Sequence, residues 1–403
     1  MMKVEIAFDL SANGLGNFFT LDDSLRGVLD NTLYALGGDV FIDVTNTVRQ
    51  VSIKRGRNRQ LEKFTAGNAN IVLDNRSRVY DPTNTAGPYY NQILPRKRVR
   101  ITDQDRVIYT GQVADWNFDY SVSGDSTAQV SCVDALTLLV EPLLTAATET
   151  AQLSGARVSA VLDDIAWPTA DRRISTGQVT LDDDVVGSNV KALDYLNKVA
   201  LSDPGALFVG ADGFLVFLDR ADLQNASNPI VFGTGGIPFT DIGVEYGIEE
   251  LSNQVSVTYY GGTAVAGTAV AIDETSVGQF GLFDTDYNTL LASDADAQAL
   301  ADFQVARYSQ PQYRVDTVSV ALDGISTATQ QSVLALDLGA VATVTWTPNG
   351  VGSPLSQTVT IDGIDFAATP ASRSISFTMS QTAAGFILDS SVFGVLDTSA
   401  LAF

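Results

Sequence analysis

Histidine is absent from the 403 residues, and cysteine occurs once. Without imidazole there is no Ser-His-Asp or Cys-His machinery, no imidazole ligand for zinc and no histidine general base. A lone thiol, Cys132, excludes an intramolecular disulfide and any multi-thiolate metal site, and gives no sign of an oxidising compartment. Glutamate is scarce, and Glu249-Glu250 is its one adjacent pair, which is little material for a two-carboxylate glycosidase. No apolar run reaches the roughly 18 residues that span a bilayer, so stable membrane insertion is not expected. Met1 to Leu15 lacks both a basic start and a continuous apolar stretch, so no Sec-type signal is expected either.

Positive charge is also scarce, and it is unevenly placed. The 24 Lys and Arg face 47 Asp and Glu, for a net charge of −23. Residues 1–110 carry 15 basic and 12 acidic groups, whereas 111–403 carry 9 and 35, a balance of −26. An acidic body repels phosphate, which argues against nucleic-acid adhesion by the chain as a whole. Half of the basic groups, 12 of 24, lie in 49–100, among them Lys54, Arg55, Arg57, Arg59, Lys63, Arg96, Lys97 and Arg98. With Phe64, Tyr80, Tyr89 and Tyr90 interleaved they could contact single-stranded DNA. Charge complementarity with an acidic neighbouring subunit or partner ring is the leading reading, ahead of a solvated strand face and of DNA binding.

With 45% apolar residues, the chain can build real cores. Alternation with a period of two marks strands at Val48, Val51, Ile53, at Ala69, Ile71, Leu73, at Trp116, Phe118, Tyr120 and at Ala128, Val130, Cys132. Cys132 is thereby expected to be buried and inert. Residues 150–245 change character. Ser154 precedes the helical set Val158, Val161, Leu162, Ile165, and Ser188 precedes Val190, Leu193, Leu196, Val199. A hairpin is expected around Asp212-Gly213, whose glycine supplies positive φ. From 246 strands return, as at Val255, Val257, Tyr259 and at Ile375, Phe377, Met379, with one helix capped by Ser293.

Two local acidic runs, Asp182-Asp183-Asp184 and Asp294-x-Asp296, lack the spacing of a calcium loop, and the second reads more simply as charge at a helix N-terminus. Gly233-Thr-Gly-Gly236 precedes Pro238 rather than a helix, so it is not a phosphate cradle. No catalytic, metal or cofactor residue is expected. Residues 98–132 and 340–379 share a strand, turn, strand, loop, strand order, which is either a duplication or the coincidence that short β patterns allow.

The block from Thr47 to Asn84 contains a strand ending in Arg55-Gly-Arg57, then Phe64-x-Ala-Gly67, an apolar strand ending Leu73-Asp-Asn75, and Arg78-x-Tyr-Asp-Pro-x-Asn84. It resembles the minor tail proteins of long-tailed actinobacteriophages. The resemblance continues through Gly87-Pro-Tyr-Tyr90, Leu94-Pro95 with Val99-Arg-Ile101, Tyr109 to Asn117, Leu336 to Gly339, Thr360 to Asp365, Phe386 to Ser390 and Phe393 to Asp397. It departs at Phe366 and Arg373, near which that family carries a His and a Trp. It does not reach 1–40 or 150–245.

The resemblance implies a tail-tip hub: a mainly β chain in which two tube-like β-barrels, 1–145 and 246–382, flank an α+β module, 146–245, before a C-terminal extension, 383–403. It further implies a homotrimer whose six barrels join a six-fold tail tube to a three-fold tip. Its partners would be the distal tail protein ring, the tape measure protein and other tail-tip proteins, at the distal end of a virion tail. Viral DNA would pass through the lumen without specific binding, and the basic residues would sit at interfaces, where reversing Arg55, Arg57 and Arg59 should leave the monomer folded. An acidic chain rich in Ser, Thr and Gly would also suit a cell-surface or carbohydrate-binding β-protein, including a receptor-binding tail component.

Overall fold

The computed structural model describes residues 2–8, 41–59, 62–145, 147–186, 189–224 and 229–382, and all structural statements concern these. Most of residues 1–40, Ser188 and the extension 383–403 lie outside them. The alternating stretches of the first third become seven strands: β1 (Lys3–Ala7), β2 (Phe41–Asp43), β3 (Val48–Gly56), β4 (Thr65–Asp74), β5 (Arg98–Asp103), β6 (Arg106–Asp119) and β7 (Thr127–Val133). The end of the stretch assigned to the middle module supplies β8 (Ile230–Gly233) and β9 (Asp241–Tyr246), and the last part adds β10 (Tyr313–Ala321), β11 (Val341–Trp346), β12 (Leu355–Thr369) and β13 (Ser372–Gln381).

All thirteen belong to one sheet in the order β9-β10-β13-β12-β3-β4-β7-β6-β5-β1-β2, with β11 on β12 and β8 on β11. Among the described residues no strand pairing closes either half into a barrel, and β12 gives part of one edge to β3.

The faint internal echo is a duplication in space. The five strands β3 to β7 lie in the order β3-β4-β7-β6-β5, and β9 to β13 repeat it as β9-β10-β13-β12-β11. Both repeats carry the same irregularities. Before β5, Arg96 N–H donates to Val113 O and Val113 N–H to Lys97 O, at 2.7 and 2.8 Å. Before β11, Gly339 N–H donates to Ile361 O and Ile361 N–H to Ala340 O, at 2.8 and 2.9 Å. Arg96 and Gly339 share positive φ, 62° and 79°. A bulge follows at once in each central strand, between Val113 and Asp115 and between Ile361 and Gly363. Chance alternation does not reproduce a turn, its hydrogen bonds and a bulge in register.

The middle of the chain packs as a second layer. Helix α1 (Ser154–Asp164) buries Val158, Val161 and Leu162, and α2 (Ala192–Ser202) buries Leu196 and Val199. Ala206–Val209 pairs with Leu215–Leu218 around Gly213, φ 91°, as the Asp-Gly step requires. The alternation at Val255, Val257 and Tyr259 suggests a strand of the second barrel, but Gln254–Gly261, Ala264–Ile272 and Asp284–Leu291 form a five-stranded sheet with Thr180–Leu181 and Gln152–Leu153 of the middle module. Helix α3 (Asp294–Tyr308), capped by Ser293, buries Ala297, Leu300 and Ala301 against it. This excursion fills the link between β9 and β10, where the first repeat has only the link between β3 and β4. A period of two tells a strand from a helix but not which sheet it joins.

One core runs through both repeats: Val51, Ile53 and Ile71 share a cluster with Ile364, Phe366 and Phe377. Where the repeats meet, Gly56 has φ 101°, and an added Cβ would lie 2.1 Å from Asp362 O. Gly56→Ala is expected to lose about 2 kcal/mol or more of stability, from strain and from parting the strands. Urea unfolding checks this, with Gly124→Ala, whose Cβ meets nothing within 4 Å, as the control for positive φ alone.

Candidate functional site

Strand β12 is long enough to serve two neighbours along one edge. Its first half, Leu355 to Thr360, pairs with β11, and after the bulge Gly363 to Ala368 pairs antiparallel with β3, in the register Gly363↔Gly56, Phe366↔Ile53, Ala368↔Val51. This joint turns two repeats into one sheet. The bulge leaves Asp362 at the crossing, with 1% of its surface exposed. Its Oδ1 accepts from Arg57 Nε and Nη2 at 3.1 and 2.8 Å, and its carbonyl accepts from Arg57 N at 2.9 Å. The Arg57 guanidinium also lies 4.5 Å over the Phe64 ring.

Arg55, from the core face of β3, is 4% exposed. Its Nη2 donates to Asp337 Oδ1 at 2.7 Å and to Val209 O at 2.9 Å, and Asp337 Oδ2 accepts from Ala211 N–H at 2.9 Å. One arginine thus ties the first repeat to the second and to the middle-module hairpin. A third clamp runs the other way. Arg373 on β13 donates through Nη1 to both oxygens of fully buried Asp103 on β5, at 2.7 and 2.8 Å, and through Nη2 to Asp323 at 2.7 Å.

These contacts correct the reading of the basic segment. For Arg55 and Arg57 the acidic partner is within the chain, on the opposite repeat. Arg59 pairs with Glu249 at 2.7 Å on the surface, and Glu250 pairs with Arg314, so the one Glu-Glu step answers to two arginines. Lys54 is exposed on the opposite face of β3 from Arg55, across from Asp365, and Lys63 is exposed in the β3–β4 link. Arg96, Lys97 and Arg98 belong to the start of β5, separated from β3 by β4, β7 and β6. The eight cations do not converge on one patch.

Of the four interleaved aromatic rings, Tyr90 is exposed and the other three are packed. Phe64 packs on Phe208 at 5.4 Å, Tyr80 is 1% exposed, and Tyr89 stacks between Phe8 and Tyr80 at 4.3 and 5.6 Å. The aspartate run Asp182–Asp184 is engaged by backbone: Asp182 accepts from Asp183 and Gly262 N–H, and Asp183 from Ala151 N–H. Among the described residues no group of three or more metal-binding side chains gathers. Cys132 is buried, and burial pushes its thiol up to about 12.

The joint has a second consequence. Eight consecutive strands, β9-β10-β13-β12-β3-β4-β7-β6, present a face directed away from the shared core. Ser319, Ser374, Ser376, Ala367, Ser52, Asn68, Asn70, Ser131 and Gln129 occupy it, all small or neutral. Its charges include Lys54 against Asp365 at the joint, and toward the two ends Asp74, Asp115, Asp119, Asp241, Asp316 and Glu245, with Arg314 across from Glu245. A shallow groove of about 280 Å³ crosses the joint, lined by Ser52, Lys54, Asn68, Asp365, Ser374 and Ser376. The sheet offers a broad polar surface, not a cleft for chemistry.

This architecture recurs in solved structures. A tail protein from Neisseria meningitidis MC58 superposes with a TM-score of 0.59 at 12% identity, over 94% of this chain and 96% of that one. The 43 kDa tail protein of prophage MuSo2 from Shewanella oneidensis gives 0.59 at 13% identity, over 86% and 97%. The fold is that of phage tail proteins. No protein-family model matches the sequence, and no curated protein matches it. At this identity the tail-protein fold is kept by geometry, and in this chain that geometry rests on the joint. Its clamps differ in legibility: the Arg-Gly-Arg turn stands out in sequence, whereas Arg373 and Asp362 carry no local signal, since their partners lie far along the chain.

Reversing charge at Arg55, Arg57 and Arg59 together is now expected to unfold the chain rather than leave it folded, because two of the three are clamps. Arg55→Met should cost about 1–3 kcal/mol, chiefly by leaving the buried Val209 carbonyl without this donor, because Asp337 is 36% exposed and keeps the Ala211 and Leu338 N–H groups, and Arg59→Glu less than about 1 kcal/mol; denaturant titrations of the single variants separate the two.

Asp134 supplies a pH signature beside this clamp. It is 3% exposed, accepts from Gly67 N–H at 2.6 Å and Leu136 N–H at 2.9 Å, and burial nonetheless raises its carboxyl from 3.8 to about 6. A folded-state value above the unfolded one stabilises below about pH 4, and that contribution is lost as pH rises through about 6. Thermal unfolding between pH 4 and 7 should show this slope, and Asp134→Asn should flatten it whatever its absolute stability.

Proposed function

We propose that this chain is a structural component of a viral tail, and that it serves as the ring-forming hub at the tip. The observation that carries the reading is the duplicated, continuous sheet with its small, neutral polar face. In three copies, six repeats would surround one lumen, matching a six-fold tail tube to a three-fold tip, with that face turned inward. Its partners would be the distal tail protein ring, the tape measure protein and other tail-tip proteins.

A lumen of Ser, Asn and Gln with acidic ends suits DNA in transit. Phosphates are held by counterion release on Lys and Arg, and here Arg55 and Arg57 are turned into the core and neutralised. Lys54 would face the bore, whereas the basic segment is expected to lie mainly outside it, and Asp365 opposite would offset it. The reading is non-enzymatic, supported by the likeness to tail proteins.

The test is to raise antibodies to the chain, label virions of the virus that encodes it, and delete its gene. Gold label at the distal end of the tail, together with failure of tail assembly on deletion, is the expected outcome. Normal infectious tails without the chain would overturn the proposal.

A further inference from the structure

The joint inside the chain is a template for one between chains. It is made from the first strand of one repeat, β3, and the post-bulge half of the central strand of the other, β12. The duplication supplies a second pair of the same two parts: β9 is equivalent to β3, and the post-bulge half of β6, Asp115 to Asp119, to that of β12. Among the described residues β9 pairs only with β10, and this half of β6 only with β7. They lie at opposite ends of the eight-strand run, so neither can satisfy the other within one chain.

Burial marks them as an unmade joint. In the internal joint Ile53 and Phe366 are each 2% exposed. At the equivalent places in the two repeats, Val244 and Phe118 are half-exposed, while the neighbouring Tyr246 and Tyr120 are 71% and 51% exposed. Trp116, Phe118 and Tyr120 form a stacked ladder with centroid spacings of 6.4 and 6.4 Å along this edge. Open strand edges with apolar rows are templates for further pairing, and β9 has no proline, lysine or arginine to block one, its two charges, Asp241 and Glu245, lying on the polar face.

We propose that β9 of one copy adds antiparallel to the post-bulge half of β6 of a second copy of this chain, in the register of the internal joint. Val244 then lies opposite Phe118, Ile242 opposite Tyr120 and Tyr246 opposite Trp116. The contact is head-to-tail, so each copy engages two neighbours and the assembly closes as a ring when the rotation per copy allows. This names the contact behind the ring reading above and rests on that reading. On the polar face the contact gathers Asp241 and Glu245 near Asp115 and Asp119, with no equivalent of Lys54 between them, so assembly should tighten as salt screens the repulsion.

Asn117 and Glu245 are directly opposed on the polar face in this register, so Asn117→Cys combined with Glu245→Cys tests it. Under oxidation the double variant should give covalently closed oligomers on a non-reducing gel, and each single variant none. Hydrogen exchange on the unmodified chain is the second measurement: amides of 115–119 and 241–246 should slow together on assembly. Oligomers or tails that form while both thiols stay open to alkylation and both segments exchange unchanged would overturn this contact and leave the tail reading standing. A chain that stays monomeric at all salt concentrations and is absent from virions would overturn both.

Discussion

The pairing of β3 with the second half of β12 is the constraint on which the rest of the structure depends. Either repeat alone would leave β3 as an open edge and Val51, Ile53 and Phe366 half covered. Joined, they share one core and one uninterrupted polar face. The pairing is possible because the bulge at Asp362 ends the contact with β11 and frees the remaining edge of β12. Gly56 then admits backbone approach that no side chain would permit.

The three ion-pair clamps lock this register rather than drive it. A buried pair stabilises only modestly over an apolar replacement, but breaking one partner leaves a stranded charge. Arg57 with Asp362, Arg55 with Asp337 and Arg373 with Asp103 each connect one repeat to the other, so a slip of one residue between β3 and β12 would unmake several at once. Arg55 also holds the 206–218 hairpin, which couples the helical layer to the same register. The layer built from 247–312 has its own cluster around Val255, Val257 and Leu300, and is an elaboration of the link between β9 and β10.

Function follows from the same economy. A sheet buried on one face and polar on the other suits a wall, and a repeated wall with unlike edges suits a ring. Three arginines, Arg55, Arg57 and Arg373, hold the wall together from its core side, and the exposed polar face is neutral at its centre.

The sequence by itself determined the strands, the helices α1, α2 and α3, the Asp-Gly hairpin, the buried thiol and the mainly β class, because each follows from local periodicity or from one residue's conformational freedom. It also held the duplication, as an echo too weak to decide: the shared turn is Arg96 in one repeat and Gly339 in the other, unlike residues in the same conformation. Only the tertiary structure decided where the strands of 254–291 belong, because period two does not specify a sheet. Only it decided what the basic segment does, because Arg55, Arg57 and Arg373 meet carboxylates that lie hundreds of residues away along the chain. A charge in a sequence announces that it needs a partner, and the fold chooses which one.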